Sequence, residues 1–261
     1  MTALPQAKRN NKANSILAWG FMVFAIAFVL LLLYQWWHRN DAQFVRYNEY
    51  GISIPINYSI HGIDVSHHNG SIAWQAVRSM LAQGINVDFA IIKATEGVTL
   101  RDSEYARNWK LTRKVGITRG AYHYFNEYVS GKAQALHYIA TVGNLLPGDL
   151  PPVLDIEEIN NTPVPQLIAN AKEWLQVIQD HYHVQPIVYT YAHFYNTYFA
   201  GELDDYPLWV AHYKQMNTPN IQRPWLLWQH SDAARVNGIS TPVDFNVYQG
   251  DQFSFKRLLV H

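Results

Sequence analysis

The chain has 261 residues, 49% hydrophobic and 15% charged, with 20 basic and 20 acidic side chains, which excludes a disordered chain and disfavours a polyanionic partner such as nucleic acid. No cysteine is present, so disulfides, a thiol nucleophile and thiolate metal sites are ruled out, while 17 Tyr and 9 Trp offer rings that stack on sugars or fill a core. One medium domain with an appendage fits this length.

The appendage comes first. No charged residue occurs from Ile16 to Trp37, and at 1.5 Å per residue such a helix spans about 33 Å, close to the hydrocarbon thickness of a bilayer. Residues 16–37 are therefore expected to form a transmembrane signal anchor. Lys8, Arg9 and Lys12 hold residues 1–15 in the cytoplasm, and Tyr34, Trp36 and Trp37 fall at the outer interface. The run ends in "YQWWHRN", which contains no small-residue cleavage site. Residues 38–58 then read as a tether to a domain at 59–261, giving a single-pass protein of the cell inner membrane with its folded part outside.

The exported part alternates short apolar runs with amphipathic ones. Strands are expected at His61–Ser66, Phe89–Thr95, Gly120–Phe125, Val153–Glu157, Ile187–Tyr191, Leu208–Tyr213, Leu226–His230 and Val243–Val247. Helices are expected at Ile72–Gln83, closed by Gly84, at Ser103–Val115, capped by Ser103, at Gly131–Val142 and at Val164–His181. After the fifth strand only Tyr195–Phe199 has room for a helix, and the last connections look too short for full crossovers. Strand–helix alternation indicates an α/β fold with parallel strands, and eight strands suggest a TIM-like (β/α) barrel with an irregular last third. An open dinucleotide-binding sheet would carry a glycine-rich loop after its first strand, and "DVSHHNG" is not one.

Barrel chemistry collects at the carboxyl ends of the strands. Polar residues stand there: Asp64, Glu96, Tyr122, Tyr124, Asp155, Glu157, Tyr189 and Gln229, with Asp244 at the start of the last strand. An isolated acid at a strand end is more often a turn former or a helix cap. Asp155 and Glu157 differ in leaving a buried run, "LPPVL", two residues apart on one strand face, where an unused charge is costly. Paired carboxylates are what glycosidic cleavage requires, and their Cα spacing of about 6.6 Å leaves the retaining and inverting geometries both open. His67 and His68 point in different directions and read as a polar loop. No metal site is expected, since no helix carries H-E-x-x-H, and no Ser sits in a G-x-S-x-G elbow. No cofactor is expected. Lys93 suits an internal ion pair better than a Schiff base.

The segments "GIDVSHHNG" at 62–70, "IIKATEG" at 91–97, "RGAYHYF" at 119–125, "LPPVLDIEE" at 150–158, "PIVYTY" at 186–191, "LWVAHY" at 208–213 and "VDFNVY" at 243–248 resemble, in order, the glycoside hydrolase family 25 lysozymes, the Chalaropsis type of N-acetylmuramidase. The resemblance implies a barrel with eight strands and about five helices. It also implies that Glu157 is the general acid, that Asp155 stabilises positive charge and stays ionised, and that Asp64 orients both. Glu96 and Asp244 would complete an acidic lining, and Tyr122, Tyr189 and Trp209 would contact sugar. The implied substrate is the glycan strand of peptidoglycan. A chitinase-like hydrolase is disfavoured because Pro152, Val153 and Leu154 break its D-x-x-D-x-D-x-E signature. A retired, glycan-binding barrel is disfavoured because the acids remain.

Overall fold

The computed structural model describes residues 11–38, 42–215 and 217–261, which fall into two compact units meeting at residue 41. The first unit is a helix, α1 (Asn11–His38), whose side chains are described over 19–34 and are all exposed. Among the described residues no helix is long and apolar enough to cross a membrane. The sixteen residues of 19–34 measure about 24 Å along a helix axis, and the side chains at both ends of the expected anchor, like residues 1–10, lie outside the described residues.

The second unit begins with a hairpin, β1 (Phe44–Tyr47) and β2 (Ile52–Pro55), paired antiparallel. Here the structure corrects the sequence reading, because the expected tether is folded from Ala42 onward. Tyr50 and Ile54 are fully buried, and the Tyr50 hydroxyl donates to the Ile85 carbonyl. The apolar residues of "FVRYNEYGISIPI" alternate over too few positions to announce a pair of strands.

Eight strands then close a barrel: β3 (His61–Val65), β4 (Phe89–Glu96), β6 (Thr118–Tyr124), β7 (Val153–Asp155), β8 (Ile187–Tyr191), β9 (Leu208–Ala211), β10 (Leu227–Ala234) and β11 (Val243–Tyr248). The short β5 (Leu100–Arg101) pairs with the end of β4 outside the ring. From β3 through β10 every ring pairing is parallel, whereas β11 runs antiparallel to both β10 and β3 and closes the ring between them. All eight expected strands are present, within a few residues of their predicted ends.

The crossovers carry α2 (Trp74–Ser79), α3 (Tyr105–Lys114), α4 (Gly131–Val142) and α5 (Val164–Tyr182). In α5, Leu167, Ala171, Trp174, Leu175 and Ile178 form the buried stripe that helical periodicity requires. It packs on α4 so closely that a Cβ on Gly131 would lie 1.8 Å from the Asn170 carbonyl oxygen. Two helix ends differ from expectation. The first helix stops at Ser79, and Gly84 (φ +89) instead turns the chain between the bridged residues Ala82 and Ile85. At α3 the N-cap is Glu104 rather than Ser103, with no side-chain cap, and Asp102 takes the Glu104 amide just before the helix. Beyond β8 the helices shrink to α6 (Ala192–Phe194) and a π-helical turn at Tyr195–Phe199, and β9 reaches β10 with no helix among the described residues.

Two apolar layers result. One lies between the barrel and its helices and contains Ile63, Val65, Ile92, Leu154 and Val210; the other fills the barrel and contains Phe89, Ile91, Val153, Ile187 and Leu227. A final helix, α7 (Gln252–Leu258), which the sequence reading omitted, plugs the amino-terminal end of the barrel with Phe255 against Phe89 and Tyr248. The opposite end stays open.

Candidate active site

Alternation along each strand decides what lines the open end. On β3, Ile63 and Val65 face the helices and Asp64 faces inward; on β7, Val153 fills the barrel, Leu154 faces out and Asp155 reaches the mouth. The register lines up Tyr124, Asp155, Tyr189 and Trp209 across four neighbouring strands. The result is a cavity of about 270 Å³ lined by Asp64, Tyr122, Tyr124, Asp155, Glu157, Tyr189, Trp209, Gln229 and Asp244, with Ser66, His68, Lys93 and Tyr213. A second chamber of about 390 Å³ shares Glu157, Tyr189 and Tyr213 with the first and continues past Tyr191, His193 and His212. Glu157 therefore stands at the junction of one groove.

Asp64 is the best-supported acid. Gln229 Nε2 and Asn246 Nδ2 donate to its Oδ2 at 2.8 and 2.7 Å. Gln229 is itself fixed by the hydroxyls of Tyr189 and Tyr213, and Asn246 accepts from Trp209 Nε1 at 2.8 Å. Burial lifts the Asp64 carboxyl to about 6, with the two amide donors pulling the other way. Asp244, opposite Asp64 in the ladder, is raised to about 9 by burial and then by the charge of Asp64. Asp155 is buried, its Oδ1 has no hydrogen-bond partner, and burial followed by the charge of Glu157 holds it well above the ordinary carboxylate range. Glu157, partly exposed, is raised chiefly by burial.

Burial raises both Asp155 and Glu157, and each acts on the other's protonation. One expectation needs correcting. Glu96 does not line the cavity. An extra residue in β4 between Lys93 and Thr95 breaks the ladder with β6, so Lys93 and Glu96, which strict alternation would put on opposite faces, meet at 2.7 Å. Lys93 also lies 4.7 Å over the Tyr124 ring, so it makes the expected ion pair. The other nine residues singled out from sequence all line the cavity.

Sequence reasoning missed Tyr213, Asn246, Ser66 and His68. Asn246 carried a signal, since it lies two residues after Asp244 on the same face. Tyr213 sits in a turn and His68 in a short 3-10 helix (His67–Asn69), both past strand ends, where alternation gives no guidance. Among the described residues no group of His, Cys, Asp and Glu could hold a metal ion.

A profile of glycosyl hydrolases family 25 matches residues 63–239. The chain belongs to glycosyl hydrolase family 25. Among family relatives, it is 46% identical over 201 residues to the uncharacterized protein YegX of Escherichia coli K12, covering 77% of this chain and 74% of YegX. Lysozyme M1 of Streptomyces globisporus is 33% identical over 205 residues, covering 73% of this chain and 68% of its own length. The family fold agrees as well. The bacterial lysozyme of Streptomyces coelicolor superposes with a TM-score of 0.68 at 32% identity, over 76% of this chain and 96% of that one. A family 25 glycosyl hydrolase of Bacillus anthracis gives 0.71 at 27% identity, over 77% and 94%. Family membership makes the chain a glycoside hydrolase of the lysozyme type.

Proposed function

We propose that the protein is a membrane-anchored 1,4-β-N-acetylmuramidase that hydrolyses the bond between N-acetylmuramic acid and N-acetylglucosamine in peptidoglycan. The observation that carries this reading is the emergence of Asp155 and Glu157 side by side in a groove flanked by Asp64 and Asp244, in a family whose relatives include named lysozymes.

Glu157 is the proton donor to the leaving oxygen. It stands where the two chambers meet, so a glycan lying along both places a glycosidic bond beside it. Asp155 stabilises positive charge at the sugar. Burial raises both carboxyls in the groove, and substrate separates their roles. Glu157 is the more exposed of the two and loses more water when a sugar covers it, which raises its proton affinity, while positive charge developing at the sugar favours ionised Asp155. Both effects move the proton towards the group that must deliver it. Asp64, held by Gln229 and Asn246, keeps the opposite wall fixed.

Purified peptidoglycan incubated with the solubilised full chain should yield new muramic acid reducing ends. Glu157→Gln should lower that rate by about 10²–10⁴-fold. Equal product from both proteins would refute the assignment.

The anchor at 16–37 is supported by the uncharged run of 22 residues from Ile16 to Trp37 and the basic residues before it. It implies a catalytic unit held on the outer side of the inner membrane, beside its substrate. The protein should remain with membranes after an alkaline carbonate wash; release into the soluble fraction would remove the anchor from the proposal.

A further inference from the structure

Most side chains of the first chamber are committed to one another. The hydroxyls of Tyr189 and Tyr213 are given to Gln229, one hydrogen of each amide of Gln229 and Asn246 to Asp64, one of the Lys93 ammonium to Glu96 and the Tyr124 hydroxyl to Glu158. Among the described lining residues of that chamber, the hydroxyls of Ser66 and Tyr122 and the imidazole of His68 make no such donation. Ser66 is buried and already accepts the His68 amide, and Tyr122 lies in the floor among the acids. His68 is exposed at the rim on the Asp64 and Asp244 side, with no hydrogen bond to either ring nitrogen among the described residues.

Its position is nevertheless built. The His68 ring packs against His67, tilted by 37°, with centroids 4.0 Å apart. His67 is tied to Asp102, a carboxylate with no side-chain exposure, through its backbone amide at 2.9 Å and Nδ1 at 2.7 Å. Asn69, one residue on, donates to Thr241 and Pro242 beside β11. A ring held this way loses little freedom when it binds.

Resting on the muramidase reading, we propose that His68 is a specificity-determining residue: its imidazole donates a hydrogen bond to the lactyl acyl oxygen that distinguishes muramic acid from N-acetylglucosamine. The two sugars differ only by this ether substituent. An acyl oxygen needs a donor, and at the rim on this side His68 is placed to supply one.

The test is binding to the full chain carrying Glu157→Gln, measured calorimetrically with a tetrasaccharide of alternating N-acetylglucosamine and N-acetylmuramic acid, and with chitotetraose. Adding His68→Ala should weaken the muramoyl ligand about tenfold and change chitotetraose by less than about twofold, or leave it undetectable in both proteins. His68→Gln, which keeps a donor, should retain most of the preference. The side chain is exposed and the backbone bond to Ser66 survives any substitution, so folding is not at issue. Equal weakening of both ligands, no weakening of either, or no muramoyl binding by the parent would overturn the inference. Its failure is separable from that of the muramidase reading, which is decided by reducing-end release from the wild type alone.

Discussion

Replacing Asp155 with asparagine should abolish hydrolysis and yet stabilise the protein at neutral pH. Asp155 is held well above its ordinary value of 3.8, first by burial and then by Glu157. At pH 7, where the unfolded chain has released this proton, each unit by which its value is raised costs the folded state roughly 1.36 kcal/mol. The sign follows from proton counting. Between pH 4 and pH 7 the native state binds more protons here than the unfolded state, so this contribution to stability is complete below about pH 4 and declines as pH rises. Asparagine has the same shape and no proton to retain. Its amide adds a hydrogen that needs a partner, which costs about 1–2 kcal/mol, so the net gain at pH 7 is the cost of the raised proton affinity less this amount. For a domain of this size each kcal/mol of net gain raises Tm by about 2–4 °C. Thermal unfolding of both proteins at pH 4, 5.5 and 7 measures it directly. The difference should be absent or reversed at pH 4 and grow with pH; a difference that stays constant or shrinks would refute the proton-holding account of Asp155.

Asn246→Leu removes a donor from Asp64 and the acceptor of Trp209 Nε1. It should destabilise the fold by about 3 kcal/mol in urea titrations, push the Asp64 carboxyl above its present value of about 6 and move the acidic limb of the activity profile to higher pH. Ile54→Ala in the hairpin should cost about 2–4 kcal/mol, because Ile54 is fully buried. A change below about 0.5 kcal/mol would restore the reading of residues 38–58 as a tether.

The barrel strands were legible because strands buried on both faces read as short apolar runs between turn signals, as in "FAIIKA" and "PIVYTY". The acids were legible because charge at the end of such a run is costly unless used. What stayed hidden depends on pairings that sequence does not display. The extra residue in β4 that turns Glu96 towards Lys93 leaves no mark in "IIKATEG". The hairpin at 44–55 becomes stable only when the barrel covers Tyr50 and Ile54. His68 acquires its place through Asp102, 35 residues from its neighbour His67, a separation no local pattern spans.

Asp244 shows how a connection length can place a functional group. In an all-parallel barrel the first residue of a strand lies at the end opposite the active site, so an acid at the start of β11 would sit at the plugged end beside α7. Residues 235–242 separate β10 from β11, whereas a parallel crossover needs about a dozen residues or more. The chain must therefore turn back, and β11 enters the ring antiparallel. Reversal carries its first residues to the mouth, and Asp244 arrives directly opposite Asp64. The same reversal brings Asn246 within 2.7 Å of Asp64, so a single short connection supplies both an amide donor and a second carboxyl that hydrogen-bonds it.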